Sequence, residues 1–375
     1  VNRLSPDQDR PCTASARIAF AALADYLDPI LASIATHDMT VMPDGDAYRV
    51  TAAFGQATLR ALPGELLIQV QTRDRQALNR MKHALAGPVG FIAARERLHI
   101  EWTGDTGGLA PLADLRVVRV AAVQALTPHL RRIVFQGDDL AHLDRADQLH
   151  CRLIFAPTGD AAPVWPMLDD AGRVVWPGGK MATRVYTLRA VDVAQGTLTI
   201  DFALHQDAGP ATRWAQAAAP GDQVGLVGPA AGGPKPAPFR VFVGDETALP
   251  GIARILETLP ADARGHACIE VRDAAEELPL QKPPGVQLHW LHRGPAPAGT
   301  TPLLPDALRA LPWPADPGDV FVWGGCEHKA FRAIHHYLKH EIGLAPGQQV
   351  LYSHWHRRLS EEQIIEIGAE AYLPE

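Results

Sequence analysis

The sequence predicts a multi-domain chain: a small N-terminal α+β domain, an antiparallel β-barrel or sandwich, and a doubly wound α/β domain with a parallel sheet. Three observations carry this. Residues 114–237 break into short strand-like runs separated by turn residues, the spacing of an antiparallel barrel or sandwich. From residue 239 apolar strands alternate with amphipathic helices, which demands a parallel sheet covered on both faces. Between these parts and the first hundred residues lies "TGDTGGLAPLADL", dense in Gly and Pro and read as a linker. The expected boundaries are 1–108, 112–237 and 239–375, and 375 residues fit two or three domains at roughly 150 residues each.

In the first part, "ASARIAFAALADYLDPILASI" places Ile18, Leu23, Leu27, Ile30, Leu31 and Ile34 mostly on one helical face. "YRVTAAFGQATLRAL" and "ELLIQVQTR" follow as strands. "DRQALNRMKHALAG" is a helix stopped at Gly87, and "RLHIEW" is a closing strand. The second part contains "RVVRVAAVQAL", "LRRIVFQG", "HCRLIFAP", "TRVYTLRAV", "GTLTIDFALH" and "DQVGLVGP" as strands. A long Pro/Gly loop between Pro157 and Thr183 carries a small hairpin at "RVVW"; loops of that length are often functional.

In the third part "FRVFVG" is a buried strand. "ALPGIARILETL" is a helix with Leu249, Ile252, Leu256 and Leu259 on its core side. "ACIEVR" and "VQLHWLH" are strands, "PDALRAL" a short helix, "DVFVWGG" a strand. "EHKAFRAIHHYLKHEIG" is a helix closed by Gly343, and "QVLYSHW" is the last strand. Ligands of such a sheet bind beyond the carboxyl ends of its strands.

Composition narrows the function classes. Hydrophobic content of 47% and charged content of 21% fit ordinary globular folding. A net charge of −7 gives no general attraction to nucleic acid or anionic membrane, so an anionic ligand needs a local basic pocket. Cys12, Cys151, Cys268 and Cys326 form no CxxC pair and suit buried thiols in a reducing compartment. "VNRLSPDQDR" lacks the apolar core of a signal peptide, and no apolar run is long enough to span a bilayer. A cytoplasmic location without membrane insertion is expected. Of the 16 histidines, His336 and His340 stand i,i+4, and "HWLH" holds His289 and His292. No carboxylate or Cys completes either set in sequence, so no metal site is expected. No convincing nucleophilic triad or carboxylate pair is present, and no catalytic side chain is assigned. No GxGxxG fingerprint is present either.

Several short stretches carry chemistry beyond their role as scaffold. "RVYT" puts Arg184, Tyr186 and Thr187 close together on a strand, where the plain reading is one polar face. Alternation directs Arg184 and Tyr186 to one side and Thr187 to the other unless the strand twists at its end. "HQDAGPATRWAQAA" leaves a strand at His205, turns through Gly209-Pro210 and starts a helix with Pro at its first position. The amides of Ala211, Thr212 and Arg213 then point outward as an anion site, or the segment is an ordinary strand–turn–helix. In "GDETALP", Asp245, Glu246 or Thr247 could simply cap the next helix.

Four stretches in order, "RVYTLR" (184–189), "DFALHQDAGPATRWAQAAAPGDQVGLVGP" (201–229), "GDETALPGI" (244–252) and "VWGGCEHKAFRAIHHYL" (322–338), resemble the siderophore-interacting proteins, flavin-dependent ferric-siderophore reductases of ferredoxin-reductase-like architecture. The resemblance spans about residues 112–360, and the first hundred residues resemble a small domain fused to some of these reductases. It implies a barrel that binds FAD and an α/β domain that takes NAD(P)H. Tyr186 then packs on the flavin ring, Thr187 meets the flavin N5 edge, and Arg184, with Arg189 as a weaker candidate, pairs with the pyrophosphate. His205, Gly209, Ala211 and Thr212 form the pyrophosphate turn. Thr247, Gly324, Gly325 and Glu327 face the flavin and nicotinamide, the glycines allowing close approach; Glu327 could instead be a first-turn helix charge. Asp273 argues for NADH and Arg272 for NADPH.

The resemblance implies a ferric siderophore as the substrate, whose iron arrives already coordinated. Lys180, Arg357 and Arg358 are its candidate cations. "YSHWHRRLSEEQ" keeps the family's Trp at Trp355 but not the Gly that follows, which bears on the substrate more than on the flavin. Two other functions stay open: a flavin reductase exchanging electrons with a protein partner such as a ferredoxin, and a siderophore-binding protein without catalysis. A homodimer is a further expectation.

Overall fold

The computed structural model describes residues 10–35, 39–156, 162–205 and 209–368. The chain divides into two compact units, the first taking residues 1–115, 159–180 and 362–371, the second the remainder. Barrel and α/β sheet therefore share one unit, and part of a barrel loop belongs to the other.

The first unit is built on a sheet of order β2-β3-β4-β5-β1-β6, with three helices among its described residues, the last being Glu361–Ile367. Its elements are β1 (Cys12–Ala19), α1 (Leu23–Ala35), β2 (Thr40–Asp44), β3 (Ala47–Ala52), β4 (Gly55–Leu62), β5 (Glu65–Thr72), α2 (Arg75–Ile92), β6 (Trp102–Gly104) and the short β7 (Ala110–Pro111). Four expectations change here, one being that the closing strand expected over residues 97–102 forms at Trp102–Gly104 and shares only Trp102 with it. The first half of the expected N-terminal helix is β1. Ala14, Ala16 and Ile18 are buried at every second position, which is strand spacing, and β1 pairs with β5 along its length. "YRVTAAFGQATLRAL" is not one strand but a hairpin turning at Ala53 and Phe54. The second helix starts where expected, Asp74 accepting from Ala77 N at 2.8 Å, but runs through Gly87 and Pro88 to Ile92. Burial of Pro88 and Val89 outweighs the local stop signal.

The barrel begins with β8 (Leu115–Thr127), β9 (Leu130–Gln136) and β10 (Gln148–Phe155). The chain then leaves it for a hairpin of β11 (Met167–Leu168) and β12 (Val174–Val175), whose β11 pairs with β7 in the first unit. It returns as β13 (Ala182–Thr187), β14 (Ala190–Asp192), β15 (Thr197–Ala203), α3 (Pro210–Ala217) and β16 (Gln223–Gly232). The sheet order is β13-β10-β16-β8-β9-β15-β14. Its two edge strands are joined by only Leu188 and Arg189, so the sheet curls back on itself as the expected barrel. Ile133, Phe135, Leu153, Leu198, Ile200, Phe202 and Leu226 fill it, with Ala211 and Ala215 of α3 packed on the same core.

The last part is a parallel sheet of order β19-β18-β17-β20-β21, the doubly wound arrangement expected. Its elements are β17 (Phe239–Gly244), α4 (Leu249–Thr258), β18 (Arg264–Val271), β19 (Val286–His292), α5 (Leu303–Arg309), β20 (Val320–Glu327), α6 (His328–Tyr337) and β21 (Gln349–Trp355). Gly343 closes the turn after α6 with φ +81, a left-handed conformation that suits glycine. No helix among the described residues is long and apolar enough to cross a membrane.

The inserted hairpin is held by α2. Lys82 is 1% exposed, and its Nζ donates to Asp170 O at 2.9 Å and Asp105 O at 3.1 Å. Asp170 Oδ1 accepts from the amides of Gly107 at 2.7 Å and Gly108 at 2.5 Å, and His83 Nδ1 lies 2.8 Å from Gly172 O. The expected linker is thus fixed structure. Lys82→Met keeps the side-chain bulk but removes the buried ammonium that donates to the Asp105 and Asp170 carbonyls, a net loss of about 1 kcal/mol per bond. Limited proteolysis should then cut the turn at residues 176–179 faster than in wild type, while a rate equal to wild type would show that Lys82 does not hold the hairpin.

Candidate functional site

On β13 the strand stays in register to its last residue: Arg184 faces Leu153, Tyr186 faces Cys151 and Thr187 faces His150 across the pair with β10. The alternation is therefore kept, with no end twist. Arg184 and Tyr186 lie on one side. Tyr186 is half-buried with its ring 4.4 Å from Phe202, and burial pushes its phenol pKa up. Arg184 Nη1 donates to Thr183 O at 2.7 Å. Thr187 is buried on the other side, and its hydroxyl has no partner among the described residues.

Arg189 does a different job from the one expected. Its guanidinium grips Glu257 on α4 at 2.5 and 2.9 Å, and a carboxylate so paired removes the arginine from the pyrophosphate set. Arg254, also on α4, donates to Leu188 O at 2.7 Å and Arg145 O at 2.8 Å. Together they tie the α/β sheet to the point where the barrel's edges meet.

α3 starts as predicted. Gly209 is its N-cap and offers no capping side chain, and a Cβ there would meet nothing within 4 Å. Arg213 N, expected free, donates to Gly209 O at 3.0 Å, so the open amides are those of Ala211 and Thr212. His205 is exposed, with its ring 6.1 Å from Trp355; residues 206–208 of the turn lie outside the described residues.

At the carboxyl ends of β17, β20 and β21 the side chains are tightly committed. Asp245 accepts from Thr247 N at 2.9 Å, Thr247 Oγ1 at 2.6 Å, Trp355 Nε1 at 2.9 Å and Glu327 N at 3.1 Å. Thr247 Oγ1 also lies 3.0 Å from His354 Nδ1, so its hydroxyl is already engaged within the protein. The protein's own packing requires both glycines. A Cβ on Gly324 would stand 1.9 Å from Val243 O, and one on Gly325 would stand 2.4 Å from the His354 ring. Glu327 caps α6, its carboxylate accepting from Lys329 N at 2.6 Å and Arg357 N at 3.2 Å. Asp273 caps the turn at Ala275 N at 2.9 Å and stands 3.8 Å from Arg272, so neither residue settles the coenzyme.

Glu270, on β18, is 4% exposed and accepts from Thr301 Oγ1 at 2.9 Å. Burial, with the Asp245 and Glu246 charges adding, pushes its carboxyl up to about 7. Glu246 is buried too and is ion-paired with Arg293.

Along α6 lies a cleft of about 1020 Å³. Arg309, Lys329, Arg332, Lys339, Arg357 and Arg358 line it with four histidines, and Glu327 is the one carboxylate among the described lining residues. The structure brings Arg357 and Arg358 together there. Lys180 is exposed in the segment belonging to the first unit and does not line the cleft. His336 and His340 are also in the lining, their rings 4.6 Å apart, while His292 Nε2 lies 2.7 Å from Glu277 and His289 pairs with His266 at 3.0 Å. Among the described residues no three His, Cys, Asp or Glu converge as metal ligands. Sequence reasoning missed His150, His354, Arg254 and Arg293. Nothing local marks them, since only strand register and packing bring them to the site.

Residues 119–233 match the siderophore-interacting FAD-binding domain family, residues 237–358 the siderophore-interacting protein family, and residues 15–103 a family described as an uncharacterized protein conserved in bacteria. The NADPH-dependent ferric-chelate reductase of Escherichia coli is 30% identical over 65% of this chain and 93% of its own length. The ferric vibriobactin reductase ViuB of Vibrio cholerae is 29% identical over 63% of this chain and 88% of its own. The crystal structure of a siderophore utilization protein from T. fusca is 38% identical with a TM-score of 0.60, covering 68% of this chain and 96% of that one. Barrel, sheet and helix start are those of an FAD-dependent oxidoreductase of the ferredoxin-reductase-like fold. The chain belongs to the siderophore-interacting protein family.

The residues present fit FAD. The start of α3 offers two amides and an open glycine to a pyrophosphate, and both ring nitrogens of His150 are buried with no partner among the described residues.

The Glu270 carboxyl gives a pH test. Its folded pKa of about 7 lies above the ordinary 4.5, so the folded state holds the proton; this stability is fully present below 4.5 and is lost as pH rises through 7. Glu270→Gln keeps an acceptor for Thr301 and removes the titration. Between about pH 5 and 8 the variant's melting temperature should gain on that of wild type. Parallel pH profiles would show that Glu270 is charged throughout.

Proposed function

We propose that this chain reduces a ferric siderophore with electrons from NAD(P)H by way of FAD, and that the iron leaves as Fe(II). The observation that carries this reading is the charge of the cleft. In a protein of net charge −7, six fixed cations and four histidines line one recess with a single carboxylate among the described lining residues. Such a recess concentrates anions, and a ferric complex of carboxylate or catecholate donors is anionic. Arg357 and Arg358, on the turn after β21, are the substrate cations; the bond from Arg357 N to Glu327 fixes where that turn begins.

Arg184 and the amides of Ala211 and Thr212 would hold the pyrophosphate, with Tyr186 and Thr187 against the ring system. FAD, when bound, joins the two-electron donor to a one-electron acceptor. The protein's share is placement. Arg254 and the Arg189–Glu257 pair hold the barrel on the sheet, and Asp245 holds the strand ends. No side chain needs to act as a nucleophile. Release follows from metal chemistry, because Fe(II) binds hard oxygen donors less tightly than the more highly charged Fe(III).

Purified protein should show flavin absorbance that NAD(P)H bleaches and ferric siderophore restores. Arg184→Ala and Tyr186→Ala should each lower flavin retention by about tenfold. Normal flavin content in both would remove them from the flavin site. Arg357→Glu with Arg358→Glu should raise KM for an anionic ferric siderophore by about tenfold, more at low salt, and leave NAD(P)H-driven reduction of a neutral acceptor unchanged. Equal loss with both acceptors would overturn the role given to the cleft.

A further inference from the structure

A hydrogen-bond chain at the sheet ends leaves one atom unanswered. Thr247 Oγ1 lies 2.6 Å from Asp245 Oδ1 and 3.0 Å from His354 Nδ1. A hydroxyl has one proton to give. With that proton directed to the carboxylate, Thr247 accepts from His354 Nδ1–H, and the tautomer is set with the lone pair on Nε2. That Nε2 is buried and has no partner among the described residues. Gly325 leaves the space the imidazole occupies.

Facing it from the barrel is His150, 3% exposed, with its ring centroid 5.6 Å from that of His354. Both His150 nitrogens are buried without a partner among the described residues. Burial lowers the pKa of both rings, His150 to about 3, so both are neutral at ordinary pH. Two neutral imidazoles so arranged leave one donor and two acceptors unmet among the described residues, and buried polar groups of this kind are normally paired. Thr187, opposite His150 in the strand pair, adds its free hydroxyl. The unmet groups come from three separate strands, β10, β13 and β21. A phosphate offers mainly acceptors and leaves the two imidazole lone pairs unmet, and among the described residues no third ligand for a metal stands with the two histidines. A flat heterocycle whose edge carries one ring N–H between carbonyl and ring-nitrogen acceptors answers one imidazole lone pair and the imidazole N–H together.

We infer that His150 and His354 read the polar edge of the flavin ring, His354 Nε2 accepting from a ring N–H, with Asp245 and Thr247 as positioning residues that fix its tautomer. This rests on the FAD reading above. The test uses the full chain stripped of flavin, titrated with FAD by fluorescence quenching, and the reloaded protein's midpoint potential by spectroelectrochemistry. His354→Phe keeps an aromatic ring but has no acceptor. Its FAD Kd should rise by about fivefold to tenfold and its potential should move from the wild-type value. His354→Gln, which restores an acceptor, should recover most of the affinity. Thr247→Val, which frees the tautomer, should shift the potential in the same direction as His354→Phe. Wild-type affinity and potential in His354→Phe would overturn the assignment while leaving the flavin reading intact. A wild-type protein that takes up no FAD would overturn both. Should His354→Phe fail to fold, the Gln and Val variants decide in the same way.

Discussion

Asp245 is the constraint on which the rest of the site depends. Its carboxylate takes four donors, from Thr247 twice, Trp355 and Glu327, and so binds the ends of β17, β20 and β21 into one piece. A charge at 5% exposure persists only when its lone pairs are answered, and here each answer comes from the protein. The consequences run outward in order. Glu327, held by its amide, is placed to cap α6 and to catch Arg357 N. The basic turn of Arg357 and Arg358 therefore inherits its position from a carboxylate on another strand.

A second set of bonds fixes barrel to sheet. Arg254 reaches two barrel carbonyls, Arg189 meets Glu257, and Glu276 accepts from both Thr127 and His129 at the turn between β8 and β9. Buried and half-buried pairs of this kind contribute little net stability, because desolvation offsets much of the attraction. Their value is geometric. They hold β13, with Arg184 and Thr187, at one orientation to the strand ends of the sheet.

Much of the fold was legible because its signals are local and repeated. The alternating apolar runs of the barrel and the strand–helix alternation after residue 239 each recur several times, so no single misreading matters. The N-terminal unit was less so. Ala14, Ala16 and Ile18 read equally as helix or strand until pairing with β5 decides, and Gly87 with Pro88 spells a stop that packing overrules. The site divides the same way. The start of α3 is written in a Gly-Pro step. Arg189 and Arg184 differ in no local feature, yet one is claimed by Glu257, a partner sixty-eight positions away. Gly324 and Gly325 signal close approach correctly, but sequence does not say that the approaching groups are Val243 and His354.

The inserted hairpin has a consequence for how the chain can be divided. The part shared with the E. coli and Vibrio relatives covers about two thirds of the chain, which suggests that the remainder could be cut away. Yet the amides of Gly107 and Gly108, and the ammonium of Lys82, are what satisfy Asp170, a residue encoded between two barrel strands. A reductase trimmed at the start of β8 would keep its whole barrel and carry a loop folded for a scaffold no longer there. The minimal autonomous piece is smaller than the relatives suggest by that loop, or larger by an entire unit.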